Sequence, residues 1–135
     1  MPAALSPSAL TRILIADDDA FFVETLRTAL LVHEDFEVVG TACNGQEAYD
    51  HAVSLKPSIV LMDVSMPVLD GVEATRLIQG LDDPPTVVLI TGEATEAKDT
   101  AAYEAGAAAY MRKSEDLEML VAVIVAISRL AAARA

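Results

Sequence analysis

The sequence has one cysteine, few basic residues and no long hydrophobic run, and each scarcity excludes a class of protein. Cys43 stands alone, so no disulfide can form within the chain. Nine Lys and Arg against 21 Asp and Glu give a formal net charge of −12, which argues against nucleic-acid binding by the chain itself. No apolar run reaches the roughly 18 residues of a membrane-spanning helix, and the N-terminus lacks the pattern of a secretory signal. We therefore expect a cytoplasmic protein with no membrane partner.

What is present is typical of one globular domain. Hydrophobic residues make up 53% and charged residues 22% of the 135 residues. This length suffices for a buried core and leaves no room for a second folded domain. We assign residues 1–10 to an N-terminal tail, 11–131 to the folded domain and 132–135 to a C-terminal end or the start of a linker.

Short apolar runs alternate with longer segments of helical period. The predicted strands cover residues 12–17, 36–42, 58–63, 86–91 and 107–112. The predicted helices cover residues 20–32, 45–55, 72–81, 93–106 and about 115 to the C-terminus. Five strand–helix units are typical of an α/β fold, a parallel sheet between two layers of helices. The most apolar runs are the first, third and fourth, which suit central strands and favour the doubly wound order 2-1-3-4-5.

Polar side chains stand where four of the predicted strands end. Asp17 and Asp18 follow the first strand, Asp63 ends the third, Thr91 ends the fourth, and Lys113 follows the fifth. The carboxyl ends of parallel strands share one edge, so these side chains are expected to meet there. Crowded carboxylates repel one another unless a cation lies among them, and their oxygens favour Mg²⁺ or Mn²⁺. Such a site suits phosphoryl transfer, with Asp63 as nucleophile and with Lys113 and Thr91 contacting phosphoryl oxygens.

Four segments together resemble the receiver domain of two-component response regulators. They are "ILIADDD" (13–19), "DVSMPVLDG" (63–71), "LITG" (89–92) and "YMRK" (110–113). The resemblance implies a flavodoxin-like three-layer sandwich and a signalling domain that is not an enzyme acting on a separate substrate. It implies that a sensor histidine kinase phosphorylates Asp63. The implied metal ligands are the side chains of Asp17, Asp18 and Asp63 and the backbone carbonyl of Ser65.

The same resemblance implies a conformational switch. Thr91 and Lys113 would contact the phosphoryl group, and Thr91 and Tyr110 would move together to change the surface of helix 4, strand 5 and helix 5. Ser65 and Glu93 occupy positions that tune the loss of the phosphoryl group. The receivers resembled are usually followed by a helix-turn-helix domain, which implies transcription regulation and DNA contact only through an output domain absent from this chain. A stand-alone receiver is the alternative.

Local interpretations stand beside these functional ones. Residues 17–19 form a polar turn in which Asp18 or Asp19 caps the first helix, because Asp is a favoured N-cap. Asp70 and Gly71 are interpreted as turn residues, with the glycine allowing a positive φ. Ser114, where many receivers have proline, is interpreted as the cap of the last helix.

The last helix carries more apolar surface than packing on a sheet requires. The predicted core face consists of Leu117, Leu120, Val121, Ile124 and Ile127. A second apolar set, Met119, Val123 and Leu130, points elsewhere and suggests a homodimer or another protein contact.

Two other functions remain open at this point. A small phosphohydrolase of the haloacid-dehalogenase type would also form an aspartyl phosphate, but it needs an acid where Ser65 stands. An interaction module would keep the fold and never be phosphorylated.

Overall fold

The computed structural model describes residues 10–93, 95–114 and 116–134, with side chains described as far as Leu130. Most of the N-terminal tail, together with Ala94, Glu115 and Ala135, lies outside the described residues. The five strands are β1 (Thr11–Ala16), β2 (Phe36–Ala42), β3 (Ile59–Asp63), β4 (Thr86–Thr91) and β5 (Ala109–Arg112). The five helices are α1 (Ala20–Leu31), α2 (Gly45–Leu55), α3 (Gly71–Gln79), α4 (Glu96–Glu104) and α5 (Leu117–Arg134). None of the described helices is both long and apolar enough to span a bilayer.

The strands form one parallel sheet in the order β2-β1-β3-β4-β5. This confirms the predicted doubly wound topology. β1, β3 and β4 lie in the middle of the sheet, and most of their residues are buried. In the edge strand β5, three residues are half-buried and Arg112 is exposed. At the opposite edge, β2 contains one extra residue, Val39, where its register with β1 shifts.

Two hydrophobic clusters lie on the two faces of this sheet and make the three layers. Side chains alternate along a strand, so Leu14 of β1 packs on one face and Ile15 on the other. The first cluster joins the sheet to α2, α3 and α4, and the second joins it to α1 and α5. The carboxyl ends of β1 and β3 are thereby fixed side by side, which positions the site.

The helix ends show which sequence-based interpretations hold. Asp19 caps α1, as predicted, because its carboxylate accepts hydrogen bonds from the backbone N–H groups of Phe21 and Phe22. Asp70 is not a simple turn residue: it caps α3 by accepting a hydrogen bond from the Glu73 N–H at 2.9 Å.

The start of α5 differs from the prediction. Asp116, rather than Ser114, accepts a hydrogen bond from the Glu118 N–H at 3.1 Å, and its backbone carbonyl receives the first bonds of the helix. The interpretation of Ser114 as the cap is therefore wrong. The helix continues to Arg134, so it includes residues 132–134, which the sequence suggested as an end or linker.

The core face of α5 is confirmed, and the second apolar set is confirmed for Met119 and Leu130, whereas Val123 is half-buried. Leu120, Val121 and Ile124 are buried against the sheet, while Met119 and Leu130 are more than half exposed. α5 thus presents apolar side chains to solvent beside β5.

Candidate functional site

Three carboxylates meet at the carboxyl edge of the sheet. β1 pairs with β3 up to Ala16 and Met62, so the residues that follow, Asp17 and Asp63, are neighbours. Single carboxylate oxygens of Asp17, Asp18 and Asp63 all lie within 4.8 Å of one another. Asp17 and Asp63 are buried, and Asp18 is exposed to solvent. The structure therefore brings together the three carboxylates that the sequence suggested.

The acidic turn after β1 is held by its own hydrogen bonds. The Asp17 N–H donates to the Ala42 carbonyl at 2.9 Å, which continues the pairing with β2. The Asp17 carboxylate oxygen Oδ1 accepts a hydrogen bond from the Asp19 N–H at 2.9 Å, and Asp19 in turn caps α1. One turn therefore fixes the Asp17 carboxylate and the first turn of α1 relative to each other.

Gly71 fits against the backbone of Asp63 because it has no Cβ. A Cβ built on Gly71 would lie 2.1 Å from the Asp63 carbonyl oxygen, and the Gly71 N–H donates to the Val64 carbonyl at 2.8 Å. The prediction that this glycine supplies a positive φ is wrong, since in this loop the positive φ, 71°, belongs to Val68. The close approach of two backbones explains the glycine.

Lys113 brings the positive charge into the site. Its ammonium nitrogen Nζ lies 2.7 Å from Asp17 Oδ2 and 3.6 Å from Asp63 Oδ2, and its side chain is 22% exposed. Its backbone N–H donates to the Thr91 carbonyl at 2.8 Å, which ties the end of β5 to the end of β4. Burial alone would lower the pKa of the Lys113 ammonium, but its contacts with Asp17 and Asp63 raise it above the ordinary value. Lys113 is therefore not a solvated surface charge.

The carboxylates outnumber the single ammonium among the charged groups that make up the site. Burial raises the pKa of the Asp63 carboxyl to about 6, and the charge of Asp17 adds to this effect. Lys113 and a hydrogen bond from the Ser65 backbone N–H oppose the increase. The surroundings of Asp63 therefore disfavour its ionised form, and a cation bound nearby would favour it.

The donor set fits Mg²⁺. Three carboxylates and one ammonium leave two negative charges unbalanced. Among the described residues, the buried Asp17 Oδ2 has an ion pair with Lys113 but no contact with hydrogen-bond geometry. Hard oxygen ligands at a partly open rim suit a small divalent cation that keeps some of its water. The pocket is therefore a candidate Mg²⁺ site.

The Thr91 side chain is held by the loop that follows β4. Its hydroxyl donates to the Glu93 carbonyl at 3.0 Å and accepts from the Glu93 N–H at 3.1 Å. Thr91 is buried, whereas Glu93 and Ser65 are exposed at the rim. Thr91 is thus at the correct edge of the sheet, with its hydroxyl engaged by the loop in this conformation.

Tyr110 lies on β5 and links the sheet to a surface groove. Its ring packs on the cluster shared with α4, and its hydroxyl is buried with no hydrogen-bond partner among the described residues. The groove, of about 860 Å³, runs between α4 and α5 and is also lined by Tyr103, Met111, Met119 and Val123. Tyr110 therefore lies between the core and the exposed α4–β5–α5 face.

Sequence reasoning missed one contact at the site. The Lys113 ammonium lies 4.7 Å from the centre of the Phe22 ring, and no motif in the sequence indicated this contact. The available signal was weak: an aromatic residue in the first turn of the helix that follows the acidic pair.

Comparison with known proteins agrees with the fold. Residues 13–125 match the family model of the response regulator receiver domain. A protein-glutamate methylesterase/protein-glutamine glutaminase of Methanosarcina mazei is 39% identical over 107 residues, covering 78% of this chain and 30% of the relative. The transcriptional regulatory protein LnrK of Bacillus subtilis is 36% identical over 118 residues, covering 87% of this chain and 54% of the relative. The chain thus spans about a third to a half of these relatives.

A solved structure shows the same architecture. A two-component response regulator of the LuxR family from Aurantimonas sp. SI85-9A1 superposes with a TM-score of 0.82 at 35% identity, over 87% of this chain and 84% of that one. The family match covers most of the chain, and the acidic pocket, Thr91 and Lys113 lie where parallel strands end. The chain belongs to the response regulator receiver domain family of two-component signalling.

Proposed function

We propose that this chain is a phosphorylation-dependent switch in which Asp63 accepts a phosphoryl group from a sensor histidine kinase. One observation carries the proposal: a buried carboxylate, Asp63, lies beside two further carboxylates and has the Lys113 ammonium 3.6 Å away. An ion pair built only for stability would balance its charges, and this one does not. The imbalance suits a site that receives Mg²⁺ and a phosphoryl group.

The residues of the chain then have distinct roles. A carboxylate oxygen of Asp63 attacks the phosphorus, the bond from phosphorus to the kinase imidazole breaks, and the imidazole keeps the electron pair and takes a proton from solvent. Mg²⁺, when bound by Asp17, Asp18, Asp63 and the Ser65 carbonyl, would neutralise charge on the transferring oxygens. Lys113 is already close enough to balance charge on the acyl phosphate.

The switch follows from the competition for the Thr91 hydroxyl. That hydroxyl bonds to Glu93 in this structure and would turn to a phosphoryl oxygen after phosphorylation. The Tyr110 ring would move with the released loop and reshape the α4–β5–α5 groove. A shift from 1:99 to 99:1 between two conformers needs about 5.5 kcal/mol, so the contacts of Thr91, Lys113 and Tyr110 must change together. Ser65 and Glu93, exposed beside the pocket, are proposed to set how fast water removes the phosphoryl group.

The proposed partners follow the same surfaces. The kinase meets the acidic rim in the cytoplasm, and the groove face contacts an output domain or a second copy of the chain through α5. Transcription regulation, with DNA bound by the output domain, is the proposed role of the full-length protein. A stand-alone receiver is the alternative.

The phosphoacceptor is tested by incubating the chain with acetyl phosphate and Mg²⁺ and measuring its intact mass. We expect wild type to gain the mass of one phosphoryl group and Asp63→Asn to gain none. Asp70→Asn is the matched control, because Asn also caps helices and Asp70 lies in the same loop. An unmodified wild type, or equal labelling of Asp63→Asn, would contradict the proposal. Steady hydrolysis of a small phosphate ester would instead favour a phosphohydrolase.

The groove face is tested by sedimentation of the phosphorylated and unphosphorylated chain. If α5 forms the homodimer, Met119→Lys should keep the phosphorylated chain monomeric, because Met119 lines the groove and is 52% exposed. Glu118→Gln, which also changes the net charge by +1 but at an exposed neighbour outside the groove lining, is the control. Dimers that persist in Met119→Lys would place the contact elsewhere.

A further inference from the structure

The Lys113 ammonium has an aromatic neighbour as well as its two carboxylates. Nζ lies 4.7 Å from the centre of the Phe22 ring, within the range in which a cation is attracted to the face of an aromatic ring. Its side chain is mostly buried, so water screens this attraction less than at an open surface. The ring is therefore part of the surroundings that determine where the ammonium lies.

The Phe22 ring is itself held in place. Its backbone N–H donates to the capping carboxylate of Asp19 at 3.3 Å, in the same turn that fixes the Asp17 carboxylate. The ring also packs against the cluster that joins α1 and α5 to the sheet. One short segment thus presents to Lys113 both a carboxylate and an aromatic face in fixed relation.

We propose that Phe22 is a positioning residue that confines the Lys113 ammonium to the space beside Asp63. Lysine has a flexible four-carbon stem, so an ion pair alone does not fix the position of its ammonium group. The ammonium can move to whichever carboxylate has the fewest other contacts. If Asp17 turns to a cation, the ring contact remains and keeps the ammonium near Asp63. The role in phosphorylation rests on the function proposed above, whereas the contact itself does not.

The test compares three variants of the full chain. Phe22→Leu keeps an apolar side chain and removes the ring, and Phe22→Tyr keeps the ring. Phe21→Leu is the matched control, because Phe21 is the adjacent residue and is 81% exposed. Phe22→Met replaces Phe22→Leu if the latter does not fold.

The first measurement is the proton NMR spectrum of the Lys113 side chain. Protons over an aromatic face are shifted upfield, so we expect such a shift for the ε-methylene in wild type, Phe22→Tyr and Phe21→Leu, and its loss in Phe22→Leu. The second measurement is the rate of phosphorylation by acetyl phosphate with Mg²⁺. Loss of the ring should slow it by about three- to tenfold, while Phe22→Tyr and Phe21→Leu stay within about twofold of wild type.

The outcomes separate the two proposals. A wild type without the upfield shift, a wild-type rate in Phe22→Leu, or an equal slowing in Phe22→Tyr overturns the positioning role alone. A wild type that is never phosphorylated overturns the proposed function and the role with it, even where the shift shows that ring and ammonium meet.

Discussion

At the scale of a residue, Asp63 is a carboxylate buried next to two other carboxylates. Its ionisation therefore lowers the free energy of unfolding. Its pKa is raised from 3.8 to about 6, chiefly by burial and then by Asp17. Below both values the carboxyl is protonated in the folded and the unfolded chain. Between these two pKa values the carboxyl is protonated in the folded chain but ionised in the unfolded chain. The free energy of unfolding therefore falls as the pH rises through about 6.

Asp63→Asn removes this cost. In a chelator, we expect the free energy of unfolding at about pH 7.5 to rise by an amount on the order of 1–3 kcal/mol, with little change at about pH 4. Urea unfolding across this pH range measures it, with Asp70→Asn as control because Asp70 is exposed. Equal stability of wild type and Asp63→Asn at both pH values would show that the site does not strain the fold.

Gly71 permits the approach of α3 to the Asp63 backbone. A methyl group there meets the Asp63 carbonyl oxygen at 2.1 Å, so Gly71→Ala should cost about 2–4 kcal/mol and slow phosphorylation by displacing Asp63. Gly92→Ala is the control, since a Cβ at that position has no atom within 4 Å in the part of the chain that the structure describes, its chain neighbours aside. Thermal unfolding of both variants decides the point. Similar melting temperatures would mean that the loop relaxes without cost.

At the scale of an element, α2 ends in a left-handed residue that is not glycine. Lys56 has φ 49°, its N–H donates to the Ala52 carbonyl, and its own carbonyl accepts from the Arg12 guanidinium at 2.8 Å. Lys56→Gly keeps these backbone bonds and removes the strain, so the free energy of unfolding should rise by about 0.5–1 kcal/mol. Lys98→Gly, inside α4, should lower it by about 1 kcal/mol. Denaturant unfolding that shows the same sign for both would contradict this account.

The elements could be predicted where hydrophobic period and end signals coincide. β2, α2 and β4 lie where the sequence placed them, because each is bounded by polar or turn residues that end the apolar pattern. α4 was predicted from 93 but begins at Glu96, since the Thr95 hydroxyl accepts from the Lys98 N–H and so sets the start. Which polar residue of this loop becomes the N-cap depends on the direction in which the chain leaves β4, and the sequence pattern does not give that direction.

The site also has features that could be predicted from the sequence and contacts that could not. The five polar residues at strand ends could be predicted to converge, because parallel strands end at one edge whatever the details of the loops. The contacts of Phe22 and Gly71 could not, since each depends on how closely a helix approaches a neighbouring backbone or side chain. The strand order itself rested on a general fold rule and on the family resemblance.

At the scale of the whole molecule, the excess of 21 acidic over nine basic residues leads us to expect that divalent cations stabilise the folded chain. A cation that binds only the folded chain adds about 1.4 kcal/mol at ten times its dissociation constant. We expect MgCl₂ to raise the melting temperature by about 3 °C or more beyond NaCl of equal ionic strength. In Asp18→Asn, which lacks one exposed carboxylate of the pocket, most of that difference should disappear. An equal effect of both salts would point to general screening.

The two edge strands of the sheet also influence aggregation of the protein at high concentration. β5 offers only four residues along its outer side, and Val39 interrupts the regular spacing of β2 at the other. A short edge strand and a β-bulge are two features by which natural proteins prevent a strand of another chain from pairing with the edge of their sheet. A concentrated solution of this domain should therefore resist fibril growth, even though apolar side chains of α5 stay open for specific association.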